Sequence, residues 1–354
     1  MKKKLLITIM VTSLIMILFV SVKRPLAPPE KLSFFALDTV ISLTGYGKSN
    51  KFALDEMKAQ IIAMEKELSR TMPDSTVYSL NHAEGKSMSV PSNLAYLLSH
   101  SQDLSKMTDG IFDITIAPAA DLWGFTKDAF HVPGPEEIET IRPKIGMDHL
   151  HVNGNTVRLD NGSQIDLGGI AKGYALEQSL DIFQKYSMDG GIVNLGGDVL
   201  AYGSNMRGAP WNVAIQDPDC PQKGNNTLGV LSTKNRYILT SGSYERYFEE
   251  NGRKYQHIID PFTCSPAEST LQSATVVTSL DRNSGMTADA FATALVIMGY
   301  KNAVSFWQNS DLHFDMILID HNGSVYITDG LKDKFTPTKP DKYHYIYLSK
   351  SSES

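Results

Sequence analysis

The stretch QIDLGGIAKGYALE, from Gln164 to Glu177, has the pattern of a short strand, a glycine turn and the opening of a helix. Lys172 lies in the first helical turn, where a cation opposes the helix macrodipole unless an anion is bound. Backbone N–H groups at a helix N-terminus, a lysine and small glycines together suit a pyrophosphate. The alternative is a tight turn in which the glycines only permit close packing. Asp166, just before the turn, could orient a ligand or cap the helix.

A second stretch, TADAFATAL from Thr287 to Leu295, predicts the start of another helix. Asp289 and Thr293 are four residues apart, so their side chains lie on one helix face. A carboxylate and a hydroxyl one turn apart suit a hard cation such as Mg²⁺. Two ordinary interpretations compete, because an acidic residue stabilises a helix N-terminus and a mid-helix threonine often bonds the carbonyl four residues earlier. Together the two stretches indicate a protein that binds a diphosphate with a metal.

The glycine spacing argues against a dinucleotide-binding fold. Gly168, Gly169 and Gly173 form the pattern Gly-Gly-x-x-x-Gly instead of Gly-x-Gly-x-x-Gly, and no first βαβ unit surrounds them. Strand patterns outnumber helical ones along the chain, and several strands are expected to pair locally. The chain is therefore predicted to be α+β, a single compact domain of mixed, largely antiparallel sheets with flanking helices.

Local patterns place several elements. Apolar residues at helical spacing predict helices over 51–68 and 91–107, and Asn-Gly turns predict hairpins within 149–167 and 316–328. Three further segments are predicted from weaker patterns: FFALDTVISLTGYG as a strand, 110–125 as loop and strand, and 190–202 as one strand with a glycine kink.

The composition is that of a globular protein, with 42% hydrophobic and 20% charged residues among 354. The first 24 residues hold five of the 33 Lys and Arg residues and none of the 39 acidic ones. The remainder therefore carries 28 basic against 39 acidic groups, a formal charge of −11. A body this acidic is a poor candidate for nucleic-acid binding, which depends on a basic surface. We expect no nucleic-acid partner.

The N-terminus has the pattern of a targeting element. Lys2–Lys4 precede the uncharged run Leu5–Val22, which as a helix would be roughly 27 Å long and could cross the hydrocarbon core. Lys23 and Arg24 follow at once without an evident cleavage site, so an uncleaved signal anchor is favoured over a cleaved signal peptide. The lysines would then stay inside and the body would be exported, with 25–31 as a stiff linker.

The two cysteines, Cys220 and Cys264, leave an alternative open. In an exported protein they could form a disulfide, but both lie in loop-like sequence far apart, and two unpaired thiols are an equal alternative. They are too few for a zinc or iron–sulfur site built from thiolates.

Single residues give weaker signals. His257 lies near the end of a strand pattern before a proline turn, where active-site side chains commonly project, although a lone histidine is more often structural. Trp123, Phe125 and Tyr78 are either core residues or a stacking surface for a flat ring, and the sequence does not decide between these roles.

Taken in order, these segments resemble the ApbE family of FAD:protein FMN transferases. The motifs that carry the resemblance are DTVISLTGYG, LSRTMPDSTVYSLN, FDITIAP…LWGF, IDLGGIAKGYALE, VNLGGDVLAYG, TSGSYERYF, HIIDP and TADAFATAL. They extend roughly from Phe35 to Gly330, and their shared order is far more specific than any single glycine loop.

The resemblance implies an exported enzyme that uses FAD and Mg²⁺, moves the FMN half of FAD onto a Thr or Ser of a partner protein and releases AMP. It implies these site residues: Leu37, Trp123, Gly124, Phe125, Asp166 and Lys172 as FAD contacts, Asp289, Thr293 and the Gly169 carbonyl as metal ligands, and His257 as base or positioner in the transfer. Two alternatives are an FAD pyrophosphatase, which forms FMN and AMP with water as acceptor, and a non-catalytic flavin-binding envelope protein.

The resemblance also sets the expected organisation and partners. The predicted units are a signal anchor or signal peptide (1–24), a linker (25–31), a flavin transferase domain (32–332) and a C-terminal tail without a role (333–354). The family's lipoprotein cysteine is absent, so the uncharged N-terminal run is expected to anchor the body outside the cytoplasmic membrane. The expected acceptor is an Rnf/Nqr-type or FMN-binding-domain redox protein with the motif Asp-x-x-(Ser/Thr)-Gly-Ala-(Thr/Ser), which this chain lacks.

Overall fold

The computed structural model describes residues 28–220 and 226–350. The predicted signal anchor, residues 1–24, lies outside these ranges. Within them, no helix has both the length and the apolar character that a membrane crossing requires.

The described chain alternates short strands with a few long helices. The strands are β1 (Glu30–Ala36), β2 (Thr39–Tyr46), β3 (Met88–Ser89), β4 (Leu150–Asn153), β5 (Thr156–Leu159), β6 (Gly190–Leu195), β7 (Asp198–Gly203), β8 (Trp211–Gln216), β9 (Thr227–Thr233), β10 (Arg236–Gly242), β11 (Tyr247–Glu250), β12 (Arg253–Gln256), β13 (Ile259–Asp260), β14 (Ser265–Pro266), β15 (Leu271–Thr278), β16 (Asp315–Asp320), β17 (Ser324–Thr328), β18 (Phe335–Pro337) and β19 (His344–Leu348). The α-helices are α1 (Asn50–Leu68), α2 (Thr76–Asn81), α3 (Ser92–Met107), α4 (Ala117–Leu122), α5 (Pro135–Ile141), α6 (Ala171–Lys185) and α7 (Ser284–Asn309), the last interrupted at Gly299.

A nine-stranded sheet in the order β1-β2-β6-β7-β10-β15-β16-β17-β19 forms the centre of the molecule. Neighbouring strands within this sheet are antiparallel, except for the pair β17 and β19, which is parallel. The α+β class and the largely antiparallel sheets are thus confirmed. One face packs against α1, α6 and α7 in the main core, and the other packs against a three-stranded sheet, β18-β9-β8. Side chains that alternate along each strand supply both cores.

Three of the weaker local predictions are wrong. The segment FFALDTVISLTGYG is a hairpin, β1 and β2, whose two turn residues Leu37 and Asp38 have φ of 51° and 55°. Such a turn normally uses Asn or Gly, so it gave no signal. The segment 190–202 is also a hairpin, turning at Gly196 and Gly197, and 110–125 contains the helix α4. The hairpins β4–β5 and β16–β17 are confirmed.

The segment predicted as a C-terminal tail contributes one strand to the nine-stranded sheet and one to the sheet β18-β9-β8. Strand β18 pairs with β9, and β19 pairs with β17. The buried carboxylate of Asp217 accepts hydrogen bonds from Lys339, Lys342 and Tyr343 of this segment. Burial alone would raise the pKa of Asp217, but these donors lower it to about 2. The C-terminal segment is therefore tied to β8 by an ionised, buried carboxylate.

Candidate active site

The glycine turn before α6 is held by Asp166. One carboxylate oxygen accepts the N–H of Gly168 at 2.8 Å, and the other pairs with Arg70 Nε at 2.8 Å. Arg70 also pairs with Asp121 through Nη2 at 2.7 Å. The carboxylate of Asp166 therefore fixes the turn itself. Since its side chain is partly exposed, its predicted contact with FAD stays a prediction.

The turn leads into a close contact between α6 and α7. A Cβ on Gly173 would lie 2.3 Å from the carbonyl oxygen of Gly285, so only glycine lets the two helix starts approach this far. The Gly173 N–H donates to Asp289 Oδ2 at 2.7 Å. Glu177, the last residue of the α6 motif, accepts the Met286 N–H at 3.0 Å. It thereby provides a partner for an N–H group in the first turn of α7, which has none within its own helix. The two motifs predicted separately form one rigid unit.

Replacing Gly173 with alanine should force these helices apart. The added carbon would meet backbone, which cannot move aside as a side chain can, so we expect a loss of about 1–3 kcal/mol in the free energy of unfolding. Denaturant unfolding measures it. Gly134→Ala is the matched control, because its Cβ would meet only the end of the Glu137 side chain at 3.7 Å. An equal loss in both variants would contradict the predicted role of the contact.

Lys172 forms an ion pair with Asp198, the first residue of β7. The Asp198 side chain is 2% exposed, and its Oδ1 accepts the Thr240 N–H at 2.8 Å. Burial alone would lower the pKa of Lys172, but the carboxylates of Asp198 and Asp289 raise it well above its usual range. Lys172 therefore stays charged.

Asp289 is a second buried carboxylate beside the same lysine, in a helix of small apolar residues. It is 4% exposed. Burial and the charge of Asp198 raise its pKa, while Lys172 and backbone N–H groups oppose the rise. Of the two buried carboxyls near this lysine, only Asp198 pairs with its ammonium group. The raised pKa of Asp289 means that its charged form is poorly compensated, and a bound cation would stabilise that form.

The other two predicted metal-binding residues lie at the same place. Thr293 Oγ1 hydrogen-bonds Ser241 Oγ at 3.0 Å, and a Cβ on Gly169 would lie 3.5 Å from Thr293 Oγ1. In the described ranges, three or more His, Cys, Asp or Glu side chains nowhere form a metal-binding cluster. The candidate ligand atoms are instead the oxygens of carboxyl groups, hydroxyls and backbone carbonyls. These oxygens fit a hard divalent cation such as Mg²⁺.

His257 is fixed in one tautomer by the loop that precedes β11. The Arg246 carbonyl accepts both the backbone N–H of His257 at 3.0 Å and its Nδ1 at 3.1 Å. Because a carbonyl only accepts, Nδ1 carries the proton and Nε2 is left with a free lone pair. Burial lowers the pKa of His257 to about 4, and the positive charges of Arg246 and Lys172 contribute. The imidazole is neutral at physiological pH.

The rings of Trp123 and Phe125 lie in a small aromatic cluster. Each residue is 4% exposed, and Trp123 Nε1 donates to the carbonyl of Cys264 at 2.9 Å. Gly124 between them has a φ of 81° and would clash with the Ala129 carbonyl if it carried a Cβ. Both rings are thus core residues, and contact of this segment with FAD stays a prediction.

The same cluster supports the histidine loop. Arg246 Nη2 donates to the carbonyl of Phe125 at 2.6 Å, so the cluster positions the residue whose own carbonyl orients His257. Tyr78, the third aromatic candidate, stacks on His82 with the ring centroids 4.0 Å apart. Cys220 and Cys264 are free, which settles the open alternative in favour of unpaired thiols.

Comparisons with known proteins identify the family of this chain. The model of the ApbE family matches residues 37–318, most of the chain. The chain belongs to the ApbE family. It is 33% identical over 245 residues to an FAD:protein FMN transferase of Vibrio cholerae serotype O1, covering 68% of this chain and 72% of the relative.

Two solved ApbE structures have the same fold. The ApbE protein of Thermotoga maritima superimposes with a TM-score of 0.80 at 28% identity, covering 87% of this chain and 99% of that one. The flavinyl transferase ApbE of Pseudomonas stutzeri gives a TM-score of 0.76 at 26% identity, covering 88% and 98%. The α+β architecture described above is therefore the ApbE fold.

Leu37 lies in the β1–β2 turn. Its N–H donates to Glu65 Oε1 at 2.8 Å, and the neighbouring Thr39 packs so tightly on Gly196 that a Cβ there would clash with its hydroxyl. The hairpin tip therefore contacts the β6–β7 turn, and Asp198, which pairs with Lys172, is the first residue after that turn. Its contact with FAD stays a prediction.

Four residues of this ApbE site were missed from the sequence. Each lies inside a motif that had been recognised for another reason: Arg70 in LSRTMPDS, Glu177 in the α6 motif, Asp198 after a glycine pair, and Ser241 in TSGSYERYF. Asp198 and Ser241 each lie beside glycines, where the backbone can approach a ligand closely or form a bulge, so the sequence signal for these two was ambiguous. The partners of these residues come from distant strands and helices, which a linear pattern does not reveal.

The low pKa of His257 predicts the pH dependence of transfer. A base must be neutral to accept a proton. An enzyme whose base had the usual histidine pKa would therefore lose activity as the pH falls through about 6.5. With a pKa of about 4, the His257-dependent fall in kcat/KM should occur only near that pH. Steady-state rates from about pH 5 to pH 8 check this. A histidine-dependent inflection near pH 6.5, absent from His257→Ala, would contradict it.

Proposed function

We propose that this ApbE-family protein is a magnesium-dependent FAD:protein FMN transferase that attaches FMN through a phosphoester to a Thr or Ser of a partner protein and releases AMP. The observation that carries the proposal is the convergence of Lys172, the buried carboxylates of Asp198 and Asp289, and the hydroxyl of Thr293. Oxygen ligands that include a carboxylate suit the metal, and the lysine ammonium group suits the diphosphate.

The transfer exchanges one P–O bond for another. The acceptor hydroxyl oxygen bonds to the phosphorus of the FMN half, and the bond from that phosphorus to the bridging oxygen breaks. AMP leaves with the bridging oxygen and its negative charge. Lys172, held in its charged form by two carboxylates, would stabilise the charge that develops on the pyrophosphate oxygens.

His257 supports the proposal as general base. Its Nδ1–H is engaged with the Arg246 carbonyl, so the free lone pair is on Nε2 and would accept the proton of the acceptor hydroxyl. Lys172 and Asp166 lie near enough for their charges to act on the ring. This proximity supports a role for His257 next to the residues proposed to bind FAD.

Asp289, Thr293 and the Gly169 carbonyl would hold the metal. When bound, Mg²⁺ would supply Lewis-acid polarisation of the diphosphate and neutralise charge on the leaving AMP. Ser241 orients the Thr293 hydroxyl, and the Gly173 N–H orients the Asp289 carboxylate. The chain thus fixes its proposed ligands before the ion binds.

His257→Ala should slow transfer about 10²–10⁴-fold while changing FAD affinity little, because a base acts on the hydroxyl and not on the dinucleotide. Single-turnover transfer and equilibrium FAD binding measure the two effects. Equal losses in both would make His257 a structural residue.

Incubation of the protein with FAD, Mg²⁺ and an acceptor carrying the expected motif tests the function. A fluorescent, denaturation-stable label on the acceptor, lost when EDTA is added, would support the transferase. AMP release at the same rate without acceptor would favour the pyrophosphatase, and intact FAD would favour a binding protein. A label that forms unchanged in EDTA would contradict the magnesium requirement.

We also propose that the body lies outside the cytoplasmic membrane, anchored by the uncharged run Leu5–Val22. The three lysines before this run and its length support the orientation and the span. The acceptor would then be an exported or membrane redox protein. Protease added to intact spheroplasts should digest the body while the cytoplasmic marker proteins survive, and a protected body would overturn the orientation.

A further inference from the structure

The described chain starts at a fixed point on the body. Asn50, the first residue of α1, donates through Nδ2 to the carbonyl of Pro28 at 3.0 Å. Six residues lead from Val22, the end of the uncharged run, to Pro28. Even fully extended, six residues span only about 20 Å. An anchored chain therefore holds the N-terminal end of α1 within that distance of the hydrocarbon core.

The same end of α1 carries an exposed aromatic ring. Phe52, in the first helical turn, is 69% exposed, the most of any large apolar residue in the described ranges. Lys48 and Lys51 beside it are exposed, and the first acidic residue of the helix is Asp55, one turn further on. A single exposed aromatic residue is ordinary by itself. An aromatic ring with flanking lysines next to a short tether has the composition of a membrane interface.

We propose that the N-terminal end of α1 rests on the membrane, with Phe52 inserted at the level of the headgroups and Lys48 and Lys51 paired with anionic lipid. The inference rests on the membrane anchoring proposed above. The tether keeps this end of the helix within about 20 Å of the hydrocarbon core whatever the orientation of the rest. Burying the ring would remove apolar surface from water and so favour the contact.

The β1–β2 hairpin separates the tether from the active site. In the β1–β2 hairpin, Glu30 pairs with Gly45 near the tether, and Ala36 pairs with Thr39 at the tip. Six residue steps along a strand separate these ends by roughly 20 Å. The tip packs against Gly196 beside the Lys172 site. The site thus lies at the end of the hairpin that is distant from the anchor, where an acceptor with its own membrane segment would have to present its hydroxyl.

Quenching by brominated lipid tests the contact. The full chain is reconstituted in nanodiscs containing anionic lipid, as Phe52→Trp and, for a matched control, as Phe35→Trp. Phe35 is 68% exposed but lies at the tip of the hairpin. Subtracting the signal of the unsubstituted chain removes the three native tryptophans. Bromination should remove about half of the fluorescence added by Phe52→Trp and leave that added by Phe35→Trp unchanged.

Each other outcome overturns the inference. Equal quenching of both variants would mean that the body has no preferred face, and no quenching of Phe52→Trp would mean that α1 stays in water. A chain that fails to remain with the nanodiscs would remove the anchor on which the inference rests. FMN transfer to a soluble acceptor, measured on the same nanodiscs, reports the proposed function separately, so the two failures are distinguishable.

Discussion

Asp289→Asn should lower the rate of FMN transfer by about 10²–10³-fold, because the carboxylate is the only charged side chain among the proposed metal ligands. Asparagine keeps the shape and can still accept the Gly173 N–H, so the contact between α6 and α7 is preserved. The loss should therefore lie in metal-dependent turnover and not in folding. Transfer rates over a range of Mg²⁺ concentrations measure it, with part of the loss recovered at high Mg²⁺.

Two further variants separate chemistry from stability. Asp289→Ala should abolish metal-dependent turnover and also leave the Gly173 N–H unpaired, at a cost of about 1–3 kcal/mol in unfolding free energy. Asp55→Asn removes an exposed carboxylate of α1 and serves as the control. Unchanged activity in Asp289→Asn and Asp289→Ala would rule out the metal assignment.

Lys172→Met should give the second large effect, a loss of transfer of about 10²–10³-fold together with lower stability. Methionine keeps the length of the side chain but supplies no charge to the pyrophosphate, and it leaves Asp198 buried without its partner. Removing one member of a fully buried pair costs about 3–5 kcal/mol, and the cost here should be smaller because the Lys172 side chain is one-third exposed.

The double variant Lys172→Met with Asp198→Asn distinguishes the two consequences. Neutralising Asp198 removes the unpaired buried charge, so the unfolding free energy should recover, while transfer stays low because the cation is still missing. Chemical denaturation and transfer rates measure the two quantities. Recovery of activity along with stability would show that Lys172 acts only as a structural partner of Asp198.

The sequence predicted the elements whose signals are local. The helices over 51–68 and 91–107 follow from apolar spacing, and the β4–β5 and β16–β17 hairpins follow from Asn-Gly turns. The β1–β2 hairpin was missed because Leu37 and Asp38 adopt a left-handed conformation that their side chains do not favour. The strand order was also beyond reach, since β2 pairs with β6 across about 150 residues and pairing at that distance depends on the whole fold.

The residues of the candidate site were also predictable from the sequence only where the signal is local. Asp289 and Thr293 were found together because one helical turn separates them, and Lys172 because it follows a glycine turn. Asp198 was not singled out within the segment predicted as one strand with a glycine kink, since its pairing with Lys172 requires β7 to lie beside α6. The burial of Trp123 and Phe125 also depends on β11 and β12, which supply the partner rings Phe248 and Tyr255.

We propose that the Lys172 turn and the Asp289 helix form two sides of one diphosphate and metal site. A crystal structure of the protein with FAD and Mn²⁺, which accepts the same oxygen ligands as Mg²⁺ and scatters anomalously, tests it most directly. We predict an anomalous peak between Asp289 and Thr293, with the pyrophosphate lying between this metal and the Lys172 ammonium group. A metal bound elsewhere, or a pyrophosphate away from Lys172, would contradict the proposed site.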